Sequence, residues 1–211
     1  NFLGGIMGSF ELVMKNLEGL NIPNIETIKR YISIGFESSK KSADLIKQLL
    51  FLSRRHEITL TTVDIKNSIK HVCDLCVNSL PKTVEIECKP VDDPIYIMGE
   101  PAQIEQVLLN LCINASHAMT IMRGPDEKQG GRLVISADTV NPEAIPENPF
   151  SEYTAAGRLA RIMIKDTGVG VEESSRKRIF EPFYSTKNRS EGTGLGLAIS
   201  YNIIQKHGGF I

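Results

Sequence analysis

From Ile25 to Ser53 an apolar or small residue returns every three or four positions: Ile25, Ile28, Ile32, Phe36, Ser39, Ala43, Ile46, Leu50 and Ser53. That spacing predicts one stripe along a single helix of roughly 30 residues, about 45 Å at 1.5 Å per residue. Few arrangements bury so long a seam. A shorter stripe precedes it at Leu3, Ile6, Phe10, Val13 and Leu17, and the two are separated by GLNIPN, with Gly19 as a stop, Asn21 as a cap and Pro23 as a first-turn residue. Two antiparallel helices cannot cover both stripes between themselves. A second copy of the hairpin is therefore expected, giving a homodimer built on a four-helix bundle.

Past SRRHE the period changes, which places a boundary near Glu57: residues 1–56 form the hairpin and residues 57–211 a second domain. In the second domain ITLTTVD is β-rich, VEIECKP and IYIMG alternate like the strands of a hairpin, and RLVISADTV and RLARIMIKD form another pair. Helices are expected at Asp64 to Ser79, Pro101 to Met122 and Gly194 to Lys206. The run NPEAIPENPFSEYTAAG, with three prolines, reads as a surface excursion. The class is α+β: a helical hairpin followed by an α/β sandwich, a sheet with helices on one face.

Lys and Arg number 24 against 25 Asp and Glu, so overall charge recruits no nucleic acid. No apolar run approaches the roughly 18 residues of a membrane span, which leaves membrane attachment to segments outside this chain and a cytoplasmic location for this one. Cys73 and Cys76 lie on an apolar helical stripe with Ile65, Ile69, Val72 and Leu80, while Cys88 and Cys112 stand isolated. Buried thiols in a reducing compartment are expected, without a metal site.

Near the C-terminus GTGLGLAIS, Gly192 to Ser200, runs into a helical pattern and offers backbone N–H groups to an anion. It lacks the G-x-x-x-x-G-K-[ST] of a P-loop and the G-x-G-x-x-G of a Rossmann turn, and no H-R-D or D-F-G string accompanies it. Three strings precede it in order: QVLLNLCINASHAM (Gln106 to Met119), DTGVG (Asp166 to Gly170) and IFEPFYSTK (Ile179 to Lys187). Together the four resemble the N, G1, F and G2 boxes of the ATP-binding catalytic domain of sensor histidine kinases. The hairpin is similar to the dimerisation and phosphoacceptor region that precedes that domain.

The resemblance implies ATP and Mg²⁺ as cofactors. By it, Asn114 is the Mg²⁺ ligand and Asn110, one helical turn away, its supporting neighbour. Mg²⁺ suits such a place, since it takes few protein oxygens and keeps water and phosphate as other ligands. Asp166 matches the residue that accepts a hydrogen bond from the adenine amine, with Gly168 and Gly170 letting backbone approach the ring. FYSTKNRSEGTG reads as a mobile lid between apolar anchors Phe180 and Phe183. From it Lys187 offers a cation to phosphates, and Gly192, Thr193, Gly194, Leu195 and Gly196 lie near them. His117, where the family pattern commonly has Asp, is a further phosphate-side candidate.

The same fold serves gyrase-type, MutL-type and heat-shock chaperone ATPases, which place a Glu one turn before the metal-binding Asn as general base. Here that position is Asn110, an amide that takes no proton at neutral pH. Transfer to an imidazole needs mainly positioning and charge stabilisation, so the expected activity is protein-histidine kinase, passing the γ-phosphoryl to a His and then to an Asp of a response-regulator receiver domain. An ATPase or a nucleotide-binding scaffold is the alternative. None of His56, His71, His117 and His207 has the acceptor context. NFLGGIMG fits the end of the family's acceptor string, which puts that His about four residues before Asn1 and leaves the catalytic residue outside the chain. The chain is thus expected to be cut at its N-terminus, and at KHGGFI, where another strand would begin, at its C-terminus.

Overall fold

A computed structural model describes residues 2–17, 24–53, 59–89, 93–124, 126–142, 157–187 and 193–211. Residues 19–23 of the GLNIPN turn, most of the proline-rich excursion, and Arg189 and Gly192 of the lid string FYSTKNRSEGTG lie outside the described residues. The chain divides into two units, Asn1–Arg55 and His56–Ile211.

The first unit is a helical hairpin of α1 (Phe2–Leu17) and α2 (Ile25–Ser53). On α1 the half-buried positions are Leu3, Met7, Phe10, Met14 and Leu17, while Ile6 and Val13 are each 44% exposed. The expected α1 stripe therefore splits: Met7 and Met14 replace Ile6 and Val13 on the inner face. The α2 stripe divides likewise, with Ile32, Phe36 and Ala43 half-buried and Ile28 and Ile46 exposed, and Tyr31 and Ile34, outside the expected stripe, are exposed too. Gly35 makes room for Phe10, whose Cζ would lie 2.5 Å from a Cβ added there. Each helix thus carries two apolar faces, of which the hairpin covers one.

In the second unit β1 (Thr61–Asp64) leads into α3 (Ile65–Ser79), β2 (Val84–Cys88), β3 (Tyr96–Gly99), α4 (Pro101–Met119), β4 (Gly131–Val140), β5 (Leu159–Lys165), the short α5 (Glu173–Arg176) and α6 (Gly196–Lys206). Asp64 starts α3 as its N-cap, accepting from the N–H of Lys66 at 2.9 Å. Pro101 opens α4 at a position where a missing N–H costs no intrahelical bond. β4 and β5 pair antiparallel, as their alternation suggests. The pairing of VEIECKP with IYIMG does not occur: β2 runs parallel to β4, and β3 pairs antiparallel with β1. Alternation states that a strand has two faces and leaves its neighbour unspecified.

One core lies between α3, α4 and the sheet. It contains Ile65, Ile69, Val72, Leu108, Cys112, Met119, Leu133 and Ile135, with Ile162 and Ile164 of β5 packed on its margin. Helix α6 adds Ile199 and Ile203 and lies against α4. Its end is tied to the start of α4 through His207, whose Nε2 accepts from the Glu100 N–H at 3.0 Å. Nδ1 then carries the ring proton and donates to the Ile203 carbonyl at 2.8 Å. The cysteine expectation holds in part. Cys76 and Cys112 are free and fully buried, and the hydrogen bond with Cys76, reinforced by burial, pushes the Cys112 thiol well above the ordinary thiol range. Cys73 is buried too, but it forms a disulfide with Cys88, whose isolation in sequence hides their proximity across α3 and β2.

Candidate functional site

The four motif strings converge on the C-terminal half of α4. DTGVG comes directly after β5, and its turn is built by a small set of bonds. Asp166 Oδ1 accepts the Gly168 N–H at 2.8 Å, closing a local turn that fixes the carboxylate. The Val169 N–H donates to the Ala118 carbonyl at 3.1 Å, anchoring the turn to the last residues of α4. Thr167 Oγ1 accepts the Arg132 N–H at 3.0 Å, and Arg123 Nη2 donates to the Thr167 carbonyl at 2.7 Å.

Gly168 sits so close to α4 that an added Cβ would lie 2.6 Å from the Ala118 Cβ. Gly170 has open space instead and φ of +74°, a region that other residues enter only with strain. The two glycines of this motif therefore serve different ends: one a close approach, the other a left-handed turn. Arg123, which braces the turn together with Thr167 of DTGVG, carries no periodicity or motif that marks it in sequence.

One helical turn back, Asn114 and His117 face the lid segment. Lys187 Nζ donates to Asn114 Oδ1 at 3.0 Å and lies 2.8 Å from His117 Nδ1. An ammonium has donors only, so the imidazole nitrogen is the acceptor and its proton resides on Nε2. Two lone pairs from one helix face thus point at a primary cation. Asn110, one turn before Asn114, is half-buried. The start of α6 is adjacent, with the Asn114 Nδ2 3.9 Å from where a Gly196 Cβ would be. An amide oxygen already turned toward a cation fits the oxygen coordination expected of Mg²⁺ at Asn114.

The lid's base is a backbone clasp. The Phe183 N–H donates to the Gly194 carbonyl at 2.9 Å, Phe183 has φ of +67°, and Gly194 has φ of +67°. Phe180 does anchor, half-buried with its ring 5.5 Å from that of Tyr201 on α6. Phe183 does not: its side chain is 63% exposed and only its backbone holds the clasp. Thr193 is exposed and its Oγ1 accepts the Leu195 N–H at 3.3 Å, whereas Leu195 is fully buried and packs inward. The helix starts at Gly196, two residues later than expected.

Among known proteins, the family described as histidine kinase-, DNA gyrase B-, and HSP90-like ATPase matches residues 99–211, which is more than half of the chain. The sensor kinase CckA of Brucella abortus (strain 2308) is 28% identical over 213 residues, covering 100% of this chain and 21% of that relative. The chain thus spans about a fifth of that relative's length. Full-length ShkA, solved in complex with AMPPNP, superposes with a TM-score of 0.63 at 24% identity, over 96% of this chain and 38% of that one. Histidine kinase ThkA, solved in complex with response regulator protein TrrA, gives 0.61 at 23% identity over 98% and 52%. At these identities the two structures speak for the fold alone, a helical hairpin preceding an α/β domain.

Proposed function

The chain belongs to the histidine kinase-, DNA gyrase B-, and HSP90-like ATPase family, and from that premise we propose that it is the dimerisation and catalytic segment of a protein-histidine kinase in a two-component system, binding ATP with Mg²⁺. In this reading Asp166 receives the adenine amine, with Gly168 and Gly170 admitting the ring. Asn114, supported by Asn110, faces the metal. Lys187 and the main chain from Gly192 through Thr193, Gly194 and Leu195 to Gly196 face the phosphates. Mg²⁺ when bound would neutralise phosphate charge and hold the γ-phosphoryl for in-line transfer. The observation that carries the reading is the convergence of the DTGVG turn, Asn114 and the lid's Lys187 on one stretch of α4. Asn110, where a water-activating base would be needed, supports transfer over hydrolysis.

The acceptor proposed is a His in a segment preceding Asn1, which hands its phosphoryl group to an Asp of a receiver domain. Radiolabelled ATP given to this chain and to one extended upstream tests it. The extended chain is expected to form acid-labile, base-stable phosphohistidine and this chain none. An unlabelled extended protein that still bound ATP would favour the scaffold or ATPase reading. The segment's proposed location is cytoplasmic; no described helix is long and apolar enough to cross a membrane.

Dimerisation through the hairpin is proposed on its uncovered faces. Ile34, 52% exposed, and Tyr31, 70% exposed, lie on the outer side of α2. Burying such side chains contributes about 1.5–3 kcal/mol each. A double change, Tyr31→Glu with Ile34→Glu, is expected to shift the protein to monomer by at least about tenfold in dissociation constant, read by sedimentation equilibrium. An unchanged constant places the interface elsewhere.

A further inference from the structure

We infer that His117 is a second protein ligand of the nucleotide's divalent cation, and that the Lys187 ammonium is its stand-in, holding the cation place until metal and nucleotide arrive. The inference rests on the nucleotide-binding reading above. It departs from the expectation that His117 contacts phosphate. The lone pair of Nδ1 points at a cation 2.8 Å away, and a lone pair so directed repels a phosphate oxygen instead of binding it. Asn114 Oδ1 points at the same cation from one helical turn earlier, at 3.0 Å. An oxygen and a nitrogen lone pair that already converge on one positive charge form part of a small coordination shell, leaving room for phosphate oxygens and water.

The exchange balances without any covalent step. The ammonium leaves with all its protons and gains phosphate oxygens as acceptors, and the incoming cation takes over the two lone pairs it vacates. No proton moves in the exchange: Nδ1 offers its lone pair to the ammonium first and to the metal afterwards. A nitrogen ligand also bears on which metal is taken. Mg²⁺ prefers an all-oxygen shell, whereas first-row transition ions such as Mn²⁺ accept imidazole more readily.

Mn²⁺ is the probe. In the complex of this chain with Mn²⁺ and a non-hydrolysable ATP analogue, pulsed electron paramagnetic resonance is expected to show coupling to a directly bonded imidazole nitrogen. His117→Ala and, as a variant that keeps a polar side chain, His117→Gln should lose that coupling and lower the preference for Mn²⁺ over Mg²⁺ in nucleotide affinity severalfold. With no nucleotide present, Lys187→Met is expected to tighten Mn²⁺ binding by about tenfold, because a competing like charge has been removed. Coupling that persists in both His117 variants, or a parent complex without it, overturns the ligand assignment. Unchanged Mn²⁺ affinity in Lys187→Met overturns the stand-in. A chain that binds no nucleotide with either metal instead sinks the functional reading on which this one rests.

Discussion

Asp166→Asn is expected to leave a folded protein whose affinity for ATP falls by one to two orders of magnitude or more. The carboxylate is held by the Gly168 N–H at 2.8 Å through Oδ1, an interaction an amide oxygen also accepts, so the turn survives the change. The difference lies at the other end of the side chain. Under the function proposed above, the amide then presents an NH₂ where the adenine amine requires an acceptor, and two donors face each other. Losing a hydrogen bond that involves a charged group costs about 1.5–3 kcal/mol, with the stranded donor adding to it. At 1.4 kcal/mol per tenfold, that is roughly 10- to 150-fold or beyond. Calorimetric titration of ATP into both proteins reads it directly, with circular dichroism to show that the fold is kept. Equal affinity would remove Asp166 from base recognition and, with it, the main support for adenine as the base.

Gly194→Ala is expected to destabilise the base of the lid by about 2–4 kcal/mol and to weaken nucleotide binding with little change in the hairpin unit. Two costs combine there. Gly194 has φ of +67°, and a non-glycine residue held in that region costs on the order of 1–3 kcal/mol. Its new Cβ would also lie 2.5 Å from the Phe183 carbonyl carbon and 2.7 Å from its Cα. Both are backbone atoms, so no rotamer relieves the clash, and the Phe183 N–H to Gly194 carbonyl bond at 2.9 Å is the contact that must open. Gly170→Ala is the instructive control, since φ is +74° but nothing lies within 4 Å of the added carbon. It should carry the conformational cost alone. Hydrogen exchange at residues 183–196, together with thermal unfolding, separates the two; equal effects would show that the clasp is unimportant.

Where the sequence was most informative, local chemistry decided local structure. Asp64 capping α3, Pro101 opening α4 and the β4–β5 alternation all depend on short-range patterns that a single stretch of chain displays. The mixed helix-and-sheet class comes from those elements together. Choice of partner stayed hidden. β2 could alternate beside any neighbour, and its parallel pairing with β4 is settled by the packing of α3 and α4 on the sheet. Cys88 had no neighbour in sequence and finds Cys73 only once α3 has turned back over β2. On α1 a stripe three or four apart left the inner face ambiguous by one position, and Met7 and Met14 took it, flexible side chains that fit irregular gaps. In the site, Lys187 and His117 are 70 residues apart in sequence, and their meeting depends on the clasp at Phe183 and Gly194 as much as on either residue.

The two halves of the site are attached to α4 by different kinds of bond, and this gives ligand capture an order. The DTGVG turn is fastened main chain to main chain, Val169 to Ala118, whereas, among the described residues of the lid, Lys187 meets the helix through the tip of a long side chain. Under the function proposed above, a purine finds its seat ready-made while the triphosphate tail must recruit its own cover. A compound that mimics only the base would then forgo what Lys187 contributes, and its affinity would be indifferent to changes at Lys187 that weaken ATP.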